Sequence, residues 1–174
     1  MTPQERADLL ARLAGGRDAL AAALEGMSDA EAAAPGPEGR WSALGNVEHL
    51  ALAESFMMGG AMTAQPSLAE AAPGNEEQIF ARVKARRRTA TAPPATAPTG
   101  ASRSVAEALA RFDAVRAETV RFVESTPHDP RRCMTTHPLL GPITVMECLS
   151  LVAAHPYRHA DQIRELRGLP RLNQ

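Results

Sequence analysis

Apolar residues return every three or four positions along four long stretches of the chain, the spacing of one helix face. In the first stretch Leu9, Leu10, Leu13, Leu20 and Leu24 keep that rhythm. Thr2, Pro3 and Glu5 ahead of it suit the N-cap, first and third positions of a helix, a capping box that sets its start. This helix is predicted to end near Glu25 or Gly26, with one helical turn after Ser28 and then a Pro/Gly loop. The second helix starts on Ser42 as N-cap. Leu52, Ala53 and Phe56 share a face with His49, and Gly59-Gly60 weakens the end. The third opens with Ser104 and Glu107 in capping-box positions, carries Leu109, Phe112, Val115, Val120 and Val123, and stops before Pro127. The fourth opens with Thr144 and Glu147. It aligns Cys148, Val152, His155, His159, Ile163 and Leu166 on one stripe and stops at Gly168 and Pro170.

Residues 65–101 form a long connection. Within it "EEQIFARVKARRRT" reads as a short helix, Arg86-Arg87-Arg88 as a solvated basic face, and "ATAPPATAPTGAS" as a low-complexity linker. "HDPRRCMTTHPLLGPI" reads as a loop, with at most a short extended piece around Met134. No stretch has a convincing strand pattern, so the fold class is all-α, a four-helix bundle. A helix of about 22 residues is roughly 33 Å long. Only a long connection returns that length, so the second and third helices are predicted parallel and the bundle up-down-down-up. The expectation is a single domain over 1–174, with a flexible crossover at about 65–101.

Composition agrees with helix. The 174 residues are 44% hydrophobic but 3% aromatic, and isoleucine occurs three times. Alanine, leucine, arginine and glutamate lose little rotamer freedom in a helix. The formal net charge of −1 gives no electrostatic case for nucleic acid or an anionic membrane as partner. Cys133 and Cys148 form no CxxC and imply no disulfide framework. Glu5 and Arg6 place charge within the first six residues, no apolar signal core follows, and no run reaches membrane-spanning length. The expected location is the cytoplasm.

The candidate chemistry lies in the histidines. His155 and His159 are four apart, one turn on a helix, and His49 lies on the core-facing stripe of another. Three neutral imidazoles can hold a transition metal ion and leave a position open for water or substrate. HxxxH alone also describes two helix histidines, one of them partly exposed, and a lone His on an apolar face is commonly a hydrogen-bonded core residue. Pro156 between them removes the N–H that would bond Val152 and costs about 3 kcal/mol in a helix interior. The helix is expected to kink there or to break and restart, with the two histidines still a turn apart. Glu48, Glu54, Asp161 and Gln162 flank the set and could orient an imidazole, although helical phase makes Glu48 and Asp161 solvated. Arg158 reads as a surface residue or a contact for an anionic group. Trp41 reads as a staple at the start of its helix, Cys148 as a small core residue, and His128 and His137 as structural or exposed loop residues.

"RWSALGNVEHLALAE" followed by "HPLLGPITVMECLSLVAAHPYRHADQI" resembles the DinB-like superfamily of bacterial four-helix-bundle proteins. The likeness lies in an aromatic-Ser start to the second helix with His-Leu seven residues on, in His-Pro-x-x-Gly-x-x-Thr, and in His-x-x-x-His before Gln-Ile. It implies an up-down-down-up bundle and a divalent ion, zinc or nickel, held by His49, His155 and His159. Pro156 departs from the pattern, where a polar residue is expected. Members include S-transferases that use bacterial low-molecular-weight thiols, related isomerases and many proteins without an assigned activity, and a homodimer is the assembly the resemblance allows. Two classes of function follow. One is a metal-dependent transferase or hydrolase acting on a small-molecule thiol or electrophile. The other is a non-catalytic binding or sensing bundle whose metal is structural or lost.

Overall fold

The computed structural model describes residues 1–72, 74–85 and 91–172. Helix α1 (Pro3–Leu24) starts on its capping box: Thr2 Oγ1 accepts the Glu5 N–H, and the Glu5 carboxylate takes the Thr2 N–H. The turn after Ser28 is α2 (Asp29–Ala33), closed by a second box with Glu31. Helix α3 (Ala43–Thr63) starts on Ser42 and continues through Gly59-Gly60. The crossover holds α4 (Glu76–Lys84), whose Phe80 ring meets Tyr157 edge to face at 6.1 Å. Helix α5 (Val105–Ser125) is capped by Ser104, but Glu107 takes the Arg103 N–H, so only half of the expected box forms. Strands β1 (Met134–His137) and β2 (Gly141–Thr144) pair antiparallel. The extended piece expected around Met134 is β1; its pairing with β2 was not expected, because strands this short display no alternation in the sequence. Helix α6 (Val145–Leu166) begins on the Thr144/Glu147 box. It ends in a Schellman turn at Gly168, where φ is +67°. The Arg86–Arg88 cluster lies outside the described residues.

Contacts fix the sense of each long helix. Arg6 bonds Val123 O and Arg17 pairs with Asp113 at 2.8 Å, so α1 and α5 are antiparallel. Arg167 reaches Ala23 O at 2.7 Å and Gly16 lies against Ala153, so α1 and α6 run together. The Cys148 thiol meets Met57 O while His159 bonds Asn46, so α3 and α6 are antiparallel. Two apolar clusters fill the interior, one around Leu13, Met58, Val123 and Leu149, the other around Leu20, Leu50, Phe112 and Ile163.

The face of α5 differs from the predicted stripe. Leu109, Val115 and Val120 are half-buried, and the buried row is Ala108, Phe112, Arg116, Thr119 and Val123. Arg116 and Thr119 turn inward because Glu54 of α3 faces them, at 2.7 Å from each. Phe56 is 51% exposed although His49 on the same stripe is buried. The cover over His49 comes from the 96–101 segment, which bonds Glu48 and His49. Helix α6 is unbroken through Pro156, against the break that was one expectation. The Val152 carbonyl that proline leaves open is instead approached by Arg116 Nη2 at 3.4 Å.

Candidate metal centre

Three imidazoles converge where α3 crosses α6. One ring nitrogen from each of His49, His155 and His159 lies within 4.8 Å of the other two. The three rings have centroids 4.7–5.2 Å apart and lie steeply inclined to one another. His49 and His159 are buried and His155 is half-buried.

Two hydrogen bonds set the ring orientations. His49 Nδ1 lies 2.7 Å from Thr96 O, a carbonyl that only accepts, which places the ring proton on Nδ1 and frees Nε2. His159 Nδ1 lies 2.8 Å from Asn46 Oδ1. The Asn46 amide nitrogen donates to Ser42 O at 2.9 Å, so its oxygen is the atom that faces the imidazole. His159 Nε2 is thereby left 3.1 Å from His155 Nε2. Ligand nitrogens at about 2.0–2.1 Å from a tetrahedral ion stand roughly 3.3 Å apart. The donor set and spacing therefore fit a divalent transition metal ion.

Burial, with the neighbouring His49 and the positive charge of Arg158, holds His155 well below its usual 6.5. Burial also lowers His49, against the hydrogen bond that its Nδ1–H donates to Thr96 O. Both rings are neutral at pH 7, the form that binds a metal ion. His137 on β1 accepts the N–H groups of Leu139 and Leu140 at Nδ1, each at 3.2 Å, and burial lowers its pKa. Burial pushes the Cys148 thiol up to about 12, in keeping with a core residue.

The segment read as a linker is a strap over this site. Thr99 N and Oγ1, Gly100 N and Ala101 N all donate to the Glu48 carboxylate, at 2.7–3.2 Å. Glu48 is thus buried rather than solvated. Asp161 is buried as well, and accepts the Leu172 N–H of the C-terminal tail at 2.6 Å. Helical phase alone mispredicts both, because it takes no account of the strap and the tail. Glu54 is turned to Arg116 and Thr119, while Gln162 and Arg158 are half-buried and His128 is exposed. The residues that orient the rings, Asn46 and Thr96, were absent from the sequence reading. Asn46 could have been found, three residues before His49 on the same face; Thr96 could not, because it acts through its backbone. Trp41 lies over His49 at 4.7 Å and near-parallel to His159 at 6.4 Å, so it walls the site as well as packing the helix start.

A family model described as the DinB superfamily matches residues 6–163. Among solved structures, the fold is similar to TT2238, described as a four-helix bundle protein. The TM-score is 0.58 at 24% identity, over 92% of this chain and 98% of that one. It is also similar to YfiT from Bacillus subtilis, described as a probable metal-dependent hydrolase with an unusual four-helix bundle topology. There the TM-score is 0.61 at 19% identity, over 98% of this chain and 91% of that one. None of the curated proteins matches. No helix among the described residues is long and apolar enough to cross a membrane.

Proposed function

The chain belongs to the DinB superfamily, and on that footing we propose that it binds one divalent transition metal ion, zinc or nickel, through His49, His155 and His159. We further propose that it is a metal-dependent enzyme, a hydrolase or a low-molecular-weight-thiol S-transferase. The observation that carries the reading is the convergence of three imidazole nitrogens within 4.8 Å. The description of YfiT as a probable metal-dependent hydrolase supports the hydrolytic branch. The ion would supply Lewis acidity and would lower the pKa of a bound water or thiol. The chain's own residues prepare the place. Thr96 and Asn46 hold two rings with their Nε2 atoms free, Trp41 screens the site from bulk water, and burial keeps His49 and His155 unprotonated. Three protein nitrogens leave room for a reacting molecule, which a closed four-ligand site lacks.

Elemental mass spectrometry on the untagged protein tests the metal. About one ion per chain is expected in wild type, with loss in His49→Ala. Metal-loaded protein is then assayed for ester hydrolysis and for thiol addition to an electrophile. Activity abolished by chelator supports the enzyme. Bound metal with neither activity favours a binding or sensing bundle, and wild type that takes up no metal defeats the reading.

A further inference from the structure

Proline has no N–H, so in a regular helix the carbonyl four residues before it loses its donor. Here that carbonyl belongs to Val152, which is buried, and the proline sits between two of the three clustered histidines. An unbroken helix at this point needs another donor for Val152 O.

Arg116 is placed to be that donor. Its Nη2 lies 3.4 Å from Val152 O and 2.7 Å from Glu54 Oε2, and its Nη1 lies 3.1 Å from Leu13 O. One guanidinium on α5 therefore touches α1, α3 and α6. The group is buried, with the Phe112 ring 5.0 Å beneath it, and Thr119 donates to the other Glu54 oxygen at 2.7 Å. Gly16 of α1 lies against the same turn of α6: a Cβ there would stand 3.0 Å from Ala153 O and 3.5 Å from Pro156 Cβ.

We propose that Arg116 is a positioning residue for the metal centre. By donating to the carbonyl that Pro156 leaves open, it keeps α6 helical between His155 and His159 and so sets the separation of their Nε2 atoms. This rests on the reading of the three histidines as ligands. Lysine is a poor substitute, because one ammonium replaces a planar fork that serves three acceptors at once.

Four chains test it: wild type, Arg116→Lys, Pro156→Ala and the double variant. Lysine keeps a cation beside Glu54, and Pro156→Ala restores the N–H that Val152 O lacks. Cobalt(II) affinity, the visible spectrum of the cobalt-loaded chain and the urea midpoint of the metal-free chain are read for each. In the wild-type background Arg116→Lys is expected to weaken cobalt binding roughly tenfold and to alter the spectrum. In the Pro156→Ala background the same substitution should change affinity by no more than about twofold and leave the spectrum as it is. The drop in urea midpoint should likewise be smaller there. Equal effects in the two backgrounds overturn the proposal, since Arg116 would then act through Glu54 and Leu13 O and not through the carbonyl that Pro156 leaves open. Wild type that binds no cobalt overturns the ligand reading instead, and the urea comparison still decides whether Arg116 and Pro156 are coupled.

Discussion

Asn46 fixes His159 with one oxygen, and can do so because its amide nitrogen is already committed to Ser42 O. Asn46→Ala removes the bond that selects both the ring orientation and its tautomer. Metal affinity should fall roughly 10- to 100-fold while the helical fold is kept, as read by competition with a chromophoric chelator. An unchanged affinity would mean that the bond from His159 to Asn46 does not set the ring for the ion. The cysteines behave differently from the histidines although both types are buried. Burial raises the thiol of Cys133 and pushes that of Cys148 up to about 12. Neither should react with a disulfide reagent in the native chain at pH 8, and both should react once urea unfolds it; a fast native reaction would place a thiol in contact with solvent. The ligand candidates were legible in the sequence because imidazole is rare and its spacing is helical. Their supports were less so. A backbone carbonyl such as that of Thr96 leaves no trace in residue identity, and Trp41 looked like packing alone.

Two neighbouring glycines show how α1 is allowed to approach α6. A Cβ on Gly15 would stand 2.4 Å from the Tyr157 hydroxyl, the far end of a side chain that can swing aside. A Cβ on Gly16 would press on Ala153 O at 3.0 Å, a carbonyl that moves only with the helix. Alanine in a helix interior gains about 0.5–1 kcal/mol over glycine. Gly15→Ala should therefore be neutral or stabilising, and Gly16→Ala destabilising by about 1–3 kcal/mol from overpacking. Urea unfolding checks the pair: stabilisation by both would show that α6 yields, and destabilisation by both that Tyr157 is held in place. The strap is the element that the sequence concealed. "ATAPPATAPTGAS" has the composition of a linker, yet its backbone N–H groups converge on Glu48. Burial alone would raise that carboxyl, and the strap's donors outweigh it, so Glu48 is held below its ordinary 4.5. A folded-state value below the unfolded one contributes stability above the unfolded value, and that contribution is lost as the pH falls through the folded one. Wild type should exceed Glu48→Gln by about 1–3 kcal/mol at pH 7. The gap should narrow as the pH is taken below 4.5; a gap independent of pH would mean that the charge of Glu48 does not hold the strap.

At the scale of the molecule, caps and periodicity sufficed to place the four long helices, since each start carries a Ser or Thr whose side chain accepts a backbone N–H of the first turn. What escaped them is tertiary: the inward Arg116 and Thr119, and a proline accommodated by a donor 36 residues away along the chain. The proposed ion would extend the same cross-linking, because His49 comes from α3 and His155 and His159 from the antiparallel α6. An ion that binds only the folded chain stabilises it by RT ln(1 + [L]/Kd), about 2.7 kcal/mol at a hundredfold excess over Kd. A chain of this size shifts its Tm by roughly 2–4 °C per kcal/mol, so zinc or nickel at that excess should raise the Tm by roughly 5–10 °C. His155→Ala should abolish most of the rise while leaving the metal-free Tm close to that of wild type, since His155 is half-buried and gives up one charge-free ring. Scanning calorimetry with and without ion separates the outcomes. A rise that survives in His155→Ala places the binding elsewhere, and a fall in Tm with added metal would mean that the unfolded chain is the better ligand.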